Sequence, residues 1–266
     1  MKKNMLAGNT TKLLDETTPF AVREAFNQLR TNLLYTVTET ESCPVFAITS
    51  VTESSGKSTV ISNLAISFAQ MGKKVLLVDG DMRCPMICRF FDLDGQQAGL
   101  SELISGIQTD VIHKDIRPGL DLITSGRIPP NPSELLTSQK LQDLLAEWKT
   151  VYDFVFFDFP PIGVVTDALT ICQSVSGYLF DVRSGWNRAK DVLAVIEDME
   201  QLGAKIAGIV LNDYNIKGSG GRYSHYSKYG KYGKYNKYSK YSKYSKYQTN
   251  QYEQAAEQVQ QEAKKK

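Results

Sequence analysis

Residues Thr49–Thr59 read TSVTESSGKST, directly after the apolar run Val45-Phe46-Ala47-Ile48 and at the head of a helical pattern. Gly56-Lys57-Ser58 is what a phosphate cradle needs. A small residue lets the backbone approach the anion, and successive N–H groups at a helix N-terminus supply positive potential. In the generic pattern G-x-x-x-x-G-K-[ST] the lysine reaches the β- and γ-phosphates and the hydroxyl ligates Mg²⁺. Here Ser50 stands where that pattern has its first glycine. Two more segments end apolar runs in acids: Leu76-Leu77-Val78-Asp79-Gly80-Asp81-Met82-Arg83 and Phe154-Val155-Phe156-Phe157-Asp158-Phe159-Pro160-Pro161. An Asp closing one strand is an ordinary turn residue, but that reading is poor for three sites placed alike. Ligands of parallel sheets bind beyond the carboxyl ends of the strands, so all three sites are expected to face the same phosphates.

That constellation suits phosphoryl transfer, which asks a protein for positioning and charge neutralisation. The expected ATP contacts are Ser54, Ser55, Gly56, Lys57, Ser58 and Thr59, with Lys57 stabilising the transferred group. Ser58, Asp81 and Asp158 are the expected Mg²⁺ ligands, Asp158 through water. Asp79 is the candidate to accept the proton from the attacking hydroxyl or to orient it. Asn212, ending Gly208-Ile209-Val210-Leu211-Asn212, is expected to read an adenine edge with its amide.

The elements that must hold these groups are legible in the pattern. Strands are expected at 45–49, 74–78, 120–124, 154–157, 177–182 and 206–211. Helices are expected at 20–38, 57–71, 133–150, 167–172 and 188–202. Short Val-, Ile- and Phe-rich strands alternating with amphipathic helices predict an α/β P-loop NTPase fold, its mainly parallel sheet flanked by helices on both faces. The expected organisation is a flexible or peripherally docked arm over 1–19, one domain over 20–214, and a disordered tail over 215–266.

The tail is a different polymer. Tyrosine recurs every third residue at Tyr223, Tyr226, Tyr229, Tyr232, Tyr235, Tyr238, Tyr241, Tyr244 and Tyr247, with Tyr252 beyond; Lys, Ser and Gly fill the gaps. With almost no aliphatic residues it cannot offset its ordering entropy, so disorder is expected. Residues 215–266 hold twelve Lys/Arg against three Glu, which leaves the other 214 residues with 19 basic and 26 acidic groups. An acidic globule therefore carries a basic, tyrosine-rich appendage. As a flexible chain, residues 215–252 would span about 35 Å, enough to reach a neighbouring copy.

No run of about 18 uncharged apolar residues occurs, so no transmembrane helix is expected. Neither a signal peptide nor a zinc site is expected. The four cysteines suit a reducing compartment, and the cytoplasm is the expected location.

The stretch Ser50–Thr59, the motif VDGDMR (Val78–Arg83), DFPP (Asp158–Pro161), GLSELISG (Gly99–Gly106), SGRIPPNPSELL (Ser125–Leu136) and the tyrosine-rich C-terminus together resemble bacterial tyrosine kinases of capsular and exopolysaccharide biosynthesis. The resemblance spans about Glu24 to Asn212. It implies an ATP- and Mg²⁺-dependent protein-tyrosine kinase whose subunits form a ring-like homo-oligomer and phosphorylate one another's tail tyrosines. It further implies a membrane polysaccharide co-polymerase as activator, recruitment to the inner face of the cell membrane, a cognate tyrosine phosphatase, and control of polysaccharide polymerisation and export. The family's inter-subunit motif E-x-x-R-x-x-R survives in Glu24 and Arg30, with Asn27 replacing the middle arginine. Glu53 and Ser54 stand where the family commonly has Pro and Gly, and Ser176 where an Asp often precedes Gly177.

Two other classes compete. A partition- or positioning-type switch ATPase shares the sheet and the deviant loop. Such proteins commonly carry a second lysine early in that loop, where this chain has Thr52, and they have no use for a tyrosine array. A basic aromatic tail could bind nucleic acid, yet strict period three is unnecessary for base stacking, and no specific nucleic acid is expected.

Overall fold

Each strand of this chain feeds two cores, because successive side chains of a strand point to opposite faces. In the computed structural model, which describes residues 13–38 and 41–214, the strands are β1 (Val45–Ser50), β2 (Val75–Asp79), β3 (His113–Arg117), β4 (Leu120–Ile123), β5 (Phe154–Asp158), β6 (Gly177–Arg183) and β7 (Ile206–Asn212). They form one sheet in the order β3-β4-β2-β5-β1-β6-β7, parallel throughout except for the β3–β4 pair. The helices are α1 (Phe20–Leu34), α2 (Lys57–Gln70), α3 (Ile87–Phe90), α4 (Leu100–Ile104), α5 (Pro132–Leu136), α6 (Gln139–Val151) and α7 (Ala189–Gln201), with a 3₁₀ turn at Asp167–Ile171.

Alternation sorts the core residues cleanly. Phe46, Ile48, Leu77, Phe154 and Phe156 pack with α1, α2 and α3 on one face, whereas Val45, Ala47, Leu76, Val155 and Phe157 pack with α4, α6 and α7 on the other. This is the expected mainly parallel sheet with helices on both faces.

The structure adds elements that periodicity does not reveal. β3 reads HKDIR, a charged, half-exposed edge strand with no apolar run. α3 and α4 span four and five residues, too short for a period to register. The helix expected at 133–150 is two helices, because Ser138 caps a fresh start by accepting the Leu141 N–H.

The N-terminal segment is better held than a loose arm. Leu13 and Leu14 are buried in the α2-side core, and the Leu14 N–H donates to Asn63 Oδ1 at 2.6 Å. Ser176 acquires a role as well: its hydroxyl accepts the Val45 N–H at 2.8 Å, pinning the start of β6 to the start of β1. Arg30, expected at a subunit interface, is engaged within the chain, donating from Nη1 to the Ser67 carbonyl and hydroxyl of α2, each at 2.7 Å. Glu24 of α1 is exposed. The tail tyrosines, with the disorder expected for residues 215–266, lie outside the described residues.

Candidate nucleotide and phosphoryl-transfer site

Strand register decides where the acids fall. Asp79 of β2 pairs with Asp158 of β5, Asp158 with Ile48 of β1, Ser50 of β1 with Asp181 of β6, and Arg183 of β6 with Asn212 of β7. Register partners in adjacent strands, and residues two apart in one strand, share a face. Asp79, Asp158, Ser50, Asp181 and Asn212 therefore form a row along the carboxyl rim of the parallel strands, on the face covered by α2. Gly56-Lys57-Ser58 opens α2 directly after β1, so the glycine-lysine turn and the acids meet at one rim.

The loop is shaped by two close approaches. Gly56 has φ +113°, and a β-carbon there would stand 2.1 Å from Asn212 Nδ2, so only glycine fits. Asn212 Nδ2 donates to the Ser55 carbonyl at 3.0 Å, and its Oδ1 accepts the Asp213 N–H at 2.8 Å. The Asn212 amide thus buttresses the loop from below, with one N–H and one lone pair still unused in these two bonds. Arg183 performs a similar service from the rim. Its Nη1 donates to the Ser54 carbonyl at 3.2 Å, and its guanidinium stacks on Trp186 at 4.1 Å. Ser54 itself sits at φ +55°, a left-handed conformation that costs a β-carbon-bearing residue about 1–2 kcal/mol. No side chain caps the N-terminus of α2, so its first N–H groups remain for an anion; Ser58 and Thr59 lie in that first turn.

The acids are held in different ways. Asp79 is fully buried; its Oδ1 accepts the Asp81 N–H at 3.2 Å and its Oδ2 the Ile87 N–H at 3.1 Å. Burial, and then the neighbouring Asp158, hold its carboxyl well above the usual range. With each oxygen engaged by one backbone N–H, Asp79 organises the Asp81 turn, and each oxygen keeps a second lone pair. Asp81 in turn accepts the Arg83 and Cys84 N–H groups on Oδ1, at 3.2 and 2.9 Å.

Asp158 is 1% exposed, hydrogen-bonds the Ser58 hydroxyl, and keeps an Oδ1 with no partner. Burial pushes its carboxyl up to about 7 against the opposing pull of Lys57 and Ser58. A buried, unpartnered oxygen beside a hydroxyl fits a hard divalent cation. Among the described residues no three acidic, His or Cys side chains converge to hold a metal by themselves. That suits Mg²⁺, which takes one or two protein ligands and completes its shell with phosphate and water.

Arg83 fastens this acidic turn to the opposite wall. Its Nε and Nη2 reach Asp167 Oδ2 and Oδ1 at 2.6 and 3.0 Å, and Ser133 donates to the same Oδ1 at 2.7 Å. The SGRIPP segment is likewise tied to GLSELISG. Glu102 accepts from the N–H groups of Gly99 and Arg127, and a β-carbon at Gly126 would strike its Oε2 at 2.1 Å.

The sequence reading missed Asp181, Arg183, Asp167 and Ser133. For Asp181 a signal existed: GYLFD ends an apolar run in an acid just as VLLVD and FVFFD do. Nothing local marked the other three, which become neighbours only through the fold.

The family described as the CobQ/CobB/MinD/ParA nucleotide binding domain matches residues 46–228. The "Tyrosine-protein kinase CpsD" of Streptococcus agalactiae serotype III (strain NEM316) is 37% identical over 194 residues, which cover 72% of this chain and 82% of that protein. This chain belongs to the bacterial tyrosine kinases. The kinase domain of the Escherichia coli tyrosine kinase ETK is 36% identical and superposes with a TM-score of 0.68, covering 77% of this chain and 84% of that one. The septum site-determining protein MinD of Pyrococcus horikoshii, complexed with Mg-ADP, shares the fold at 24% identity and a TM-score of 0.56, over 65% of this chain and 71% of its own. Within the bacterial tyrosine kinases, then, this chain has the nucleotide-binding core, with Glu53-Ser54-Ser55 before Gly56.

Proposed function

We propose that this bacterial tyrosine kinase transfers the γ-phosphoryl group of ATP, with Mg²⁺, to the tyrosines of its own C-terminal tail, between subunits of a ring-like homo-oligomer. The observation that carries the proposal is the convergence of Lys57, Ser58, Asp81 and Asp158 on one rim of the sheet. ATP supplies the phosphoryl group, and Mg²⁺ shields its developing charge. The loop amides of residues 54–59 seat the phosphates, and Lys57 neutralises the group in transfer. Ser58, Asp81 and Asp158 would hold the metal, which would supply charge neutralisation at the group in transfer. Asp79 keeps Asp81 in place.

Nine tyrosines at period three offer repeated equivalent hydroxyls on a basic chain of a kind an acidic globule attracts. Each phosphate adds about −1.5 to −2 charge, so modification reverses the tail's sign and loosens its hold on the globule or on anionic lipid. The reading extends to a cytoplasmic protein drawn to the inner membrane face by a polysaccharide co-polymerase that activates it. A cognate phosphatase resets it, and the output is control of capsular or extracellular polysaccharide synthesis.

The test mixes two full-length chains: Lys57→Met with its tail intact, and a chain with an intact site whose ten tail tyrosines are Phe. With ATP, Mg²⁺ and a fragment of the co-polymerase, phosphotyrosine is expected on the Lys57→Met chain. Unlabelled mixtures alongside a self-labelling wild type would sink transfer between subunits. ATP hydrolysis with no phosphotyrosine in any sample would point to a switch ATPase.

A further inference from the structure

Asp181 is the one acid of the rim row that the reaction described above does not use. It is 1% exposed, and both of its carboxylate oxygens are buried without a hydrogen-bond partner. The same is true of the Ser55 hydroxyl in the loop above it. A buried carboxylate is ordinarily paired, because leaving water without compensation is costly. Three explanations are available. A structural hydrogen bond does not suffice: the Ser55 hydroxyl lies close enough to oppose the rise that burial imposes on the carboxyl, yet neither oxygen is met at hydrogen-bond geometry. Among the described residues no metal site of three or more acidic, His or Cys side chains is present. The third is a counter-charge. Lys57, 7% exposed, lies near enough to oppose the rise that burial imposes on the Asp181 carboxyl, and no carboxylate of the described residues stands within ion-pair distance of it.

We propose that Asp181 is a positioning residue that acts through Lys57: its charge pulls on the ammonium from beneath the loop, and nucleotide phosphates must win the lysine against that pull. The register supports this direction of action. Asp181 lies beside Ser50, on the far side of β1 from Asp158, so Lys57 at the head of α2 stands above a pair of acids rather than one. When the lysine turns to the phosphates, its attraction to Asp181 is lost. Phosphate binding is thereby weakened, and product ADP leaves more readily. The proposal rests on the nucleotide site assigned above.

The test titrates Mg-ADP into full-length wild type, Asp181→Asn and Asp181→Val by calorimetry at pH 8, with ATP KM and kcat for tail phosphorylation measured alongside. Removing the buried charge that competes with the phosphates for Lys57 should tighten ADP binding about tenfold. KM for ATP should fall, and kcat should fall with it if ADP release limits turnover. The same Asp181→Asn change in a Lys57→Met background should give less than half of that gain in ADP affinity. The proposal is overturned if both single variants, folded by circular dichroism, bind ADP as wild type does or more weakly. It is overturned equally if the full gain persists without Lys57, because the carboxylate would then act on the phosphates directly. A wild type that binds no ADP would instead remove the nucleotide site itself.

Discussion

The two flanks of the site are built on opposite plans. On the β2 side, Asp79 has both oxygens engaged by backbone N–H groups, Asp81 accepts two more, and Arg83 is clamped to Asp167 and Ser133. On the β1–β6 side, Ser54 is in a left-handed conformation, and Ser55 Oγ and both oxygens of Asp181 have no partner. A flank whose polar groups are already satisfied is preorganised: it holds charge where the transition state needs it, with no rearrangement at the moment of reaction. The other flank has its polar groups unspent, the state expected of a surface that completes itself on a ligand. The acidic turn is thus the fixed half of the site, and the phosphate loop is the half that ligand binding can change.

The largest expected effect comes from the fixed half. Asp81→Asn keeps the backbone turn but removes a charge that would hold the metal, and phosphotyrosine formation should drop by at least about a hundredfold. Thermal unfolding should move little. A variant retaining a third or more of wild-type activity would show that the β2 flank is scaffolding alone.

Next comes Asp158, which stands between the flanks. Its carboxyl is at about 7 in the folded protein against 3.8 in an unfolded chain. The folded state therefore binds this proton more tightly. The resulting stability is fully present below pH 3.8 and is lost as pH rises through 7. The unfolding free energy of ligand-free wild type minus that of Asp158→Asn should decline by about 3 kcal/mol between pH 4 and pH 7. Urea titrations across that range measure it. A flat difference would mean that Asp158 is ionised, and satisfied, without ligand.

How much of this was legible beforehand follows the same division. The strands, the two-faced sheet and the convergence of Lys57, Ser58, Asp79, Asp81 and Asp158 could be read because each is a local pattern, an apolar run closed by a chemically distinctive residue. Partners drawn from distant segments could not be read. Asp167 and Ser133 reach Arg83 across separations of 84 and 50 residues, and spacing carries no trace of that. Asn212 was assigned by its amide chemistry and its strand end, which could not reveal that Gly56 would lie against it. β3 was missed because edge strands in water need no apolar run. Leu13 and Leu14 were missed because two leucines in a polar stretch make no period.

The clamp itself gives a smaller effect. Asp167 is 1% exposed, while Arg83 is 41% exposed in its side chain. Burial raises the Asp167 carboxyl, but hydrogen bonds from Arg83 and Ser133 outweigh it and hold the group below its ordinary value. Arg83→Ala leaves that buried carboxylate with Ser133 alone. Because one partner is partly solvated, the expected loss is about 2 kcal/mol, short of that for a fully buried pair. Since the pair also anchors the acidic turn, activity should fall alongside stability. A stable but inactive Arg83→Ala would mean that the arginine touches substrate, giving the fixed flank a catalytic residue it is not assigned here.

The smallest effect belongs to the adaptable flank and bears most directly on the contrast. Ser54 takes φ +55° with no glycine to make it cheap. Ser54→Gly removes the steric cost in the folded state but also loosens the unfolded chain, so the two contributions partly cancel. A net gain of about 1 kcal/mol at most is expected, visible as a rise of a few degrees in Tm. If the strain is a property of the empty loop alone, nucleotide would relieve it, and ligand-induced stabilisation would shrink in the glycine variant by the same amount. If it persists on binding, the Mg-ADP-induced shift in Tm will be equal in both proteins. An equal shift would place the Ser54 backbone with the fixed parts of the site and confine the loop's adaptability to Ser55, Lys57 and Asp181.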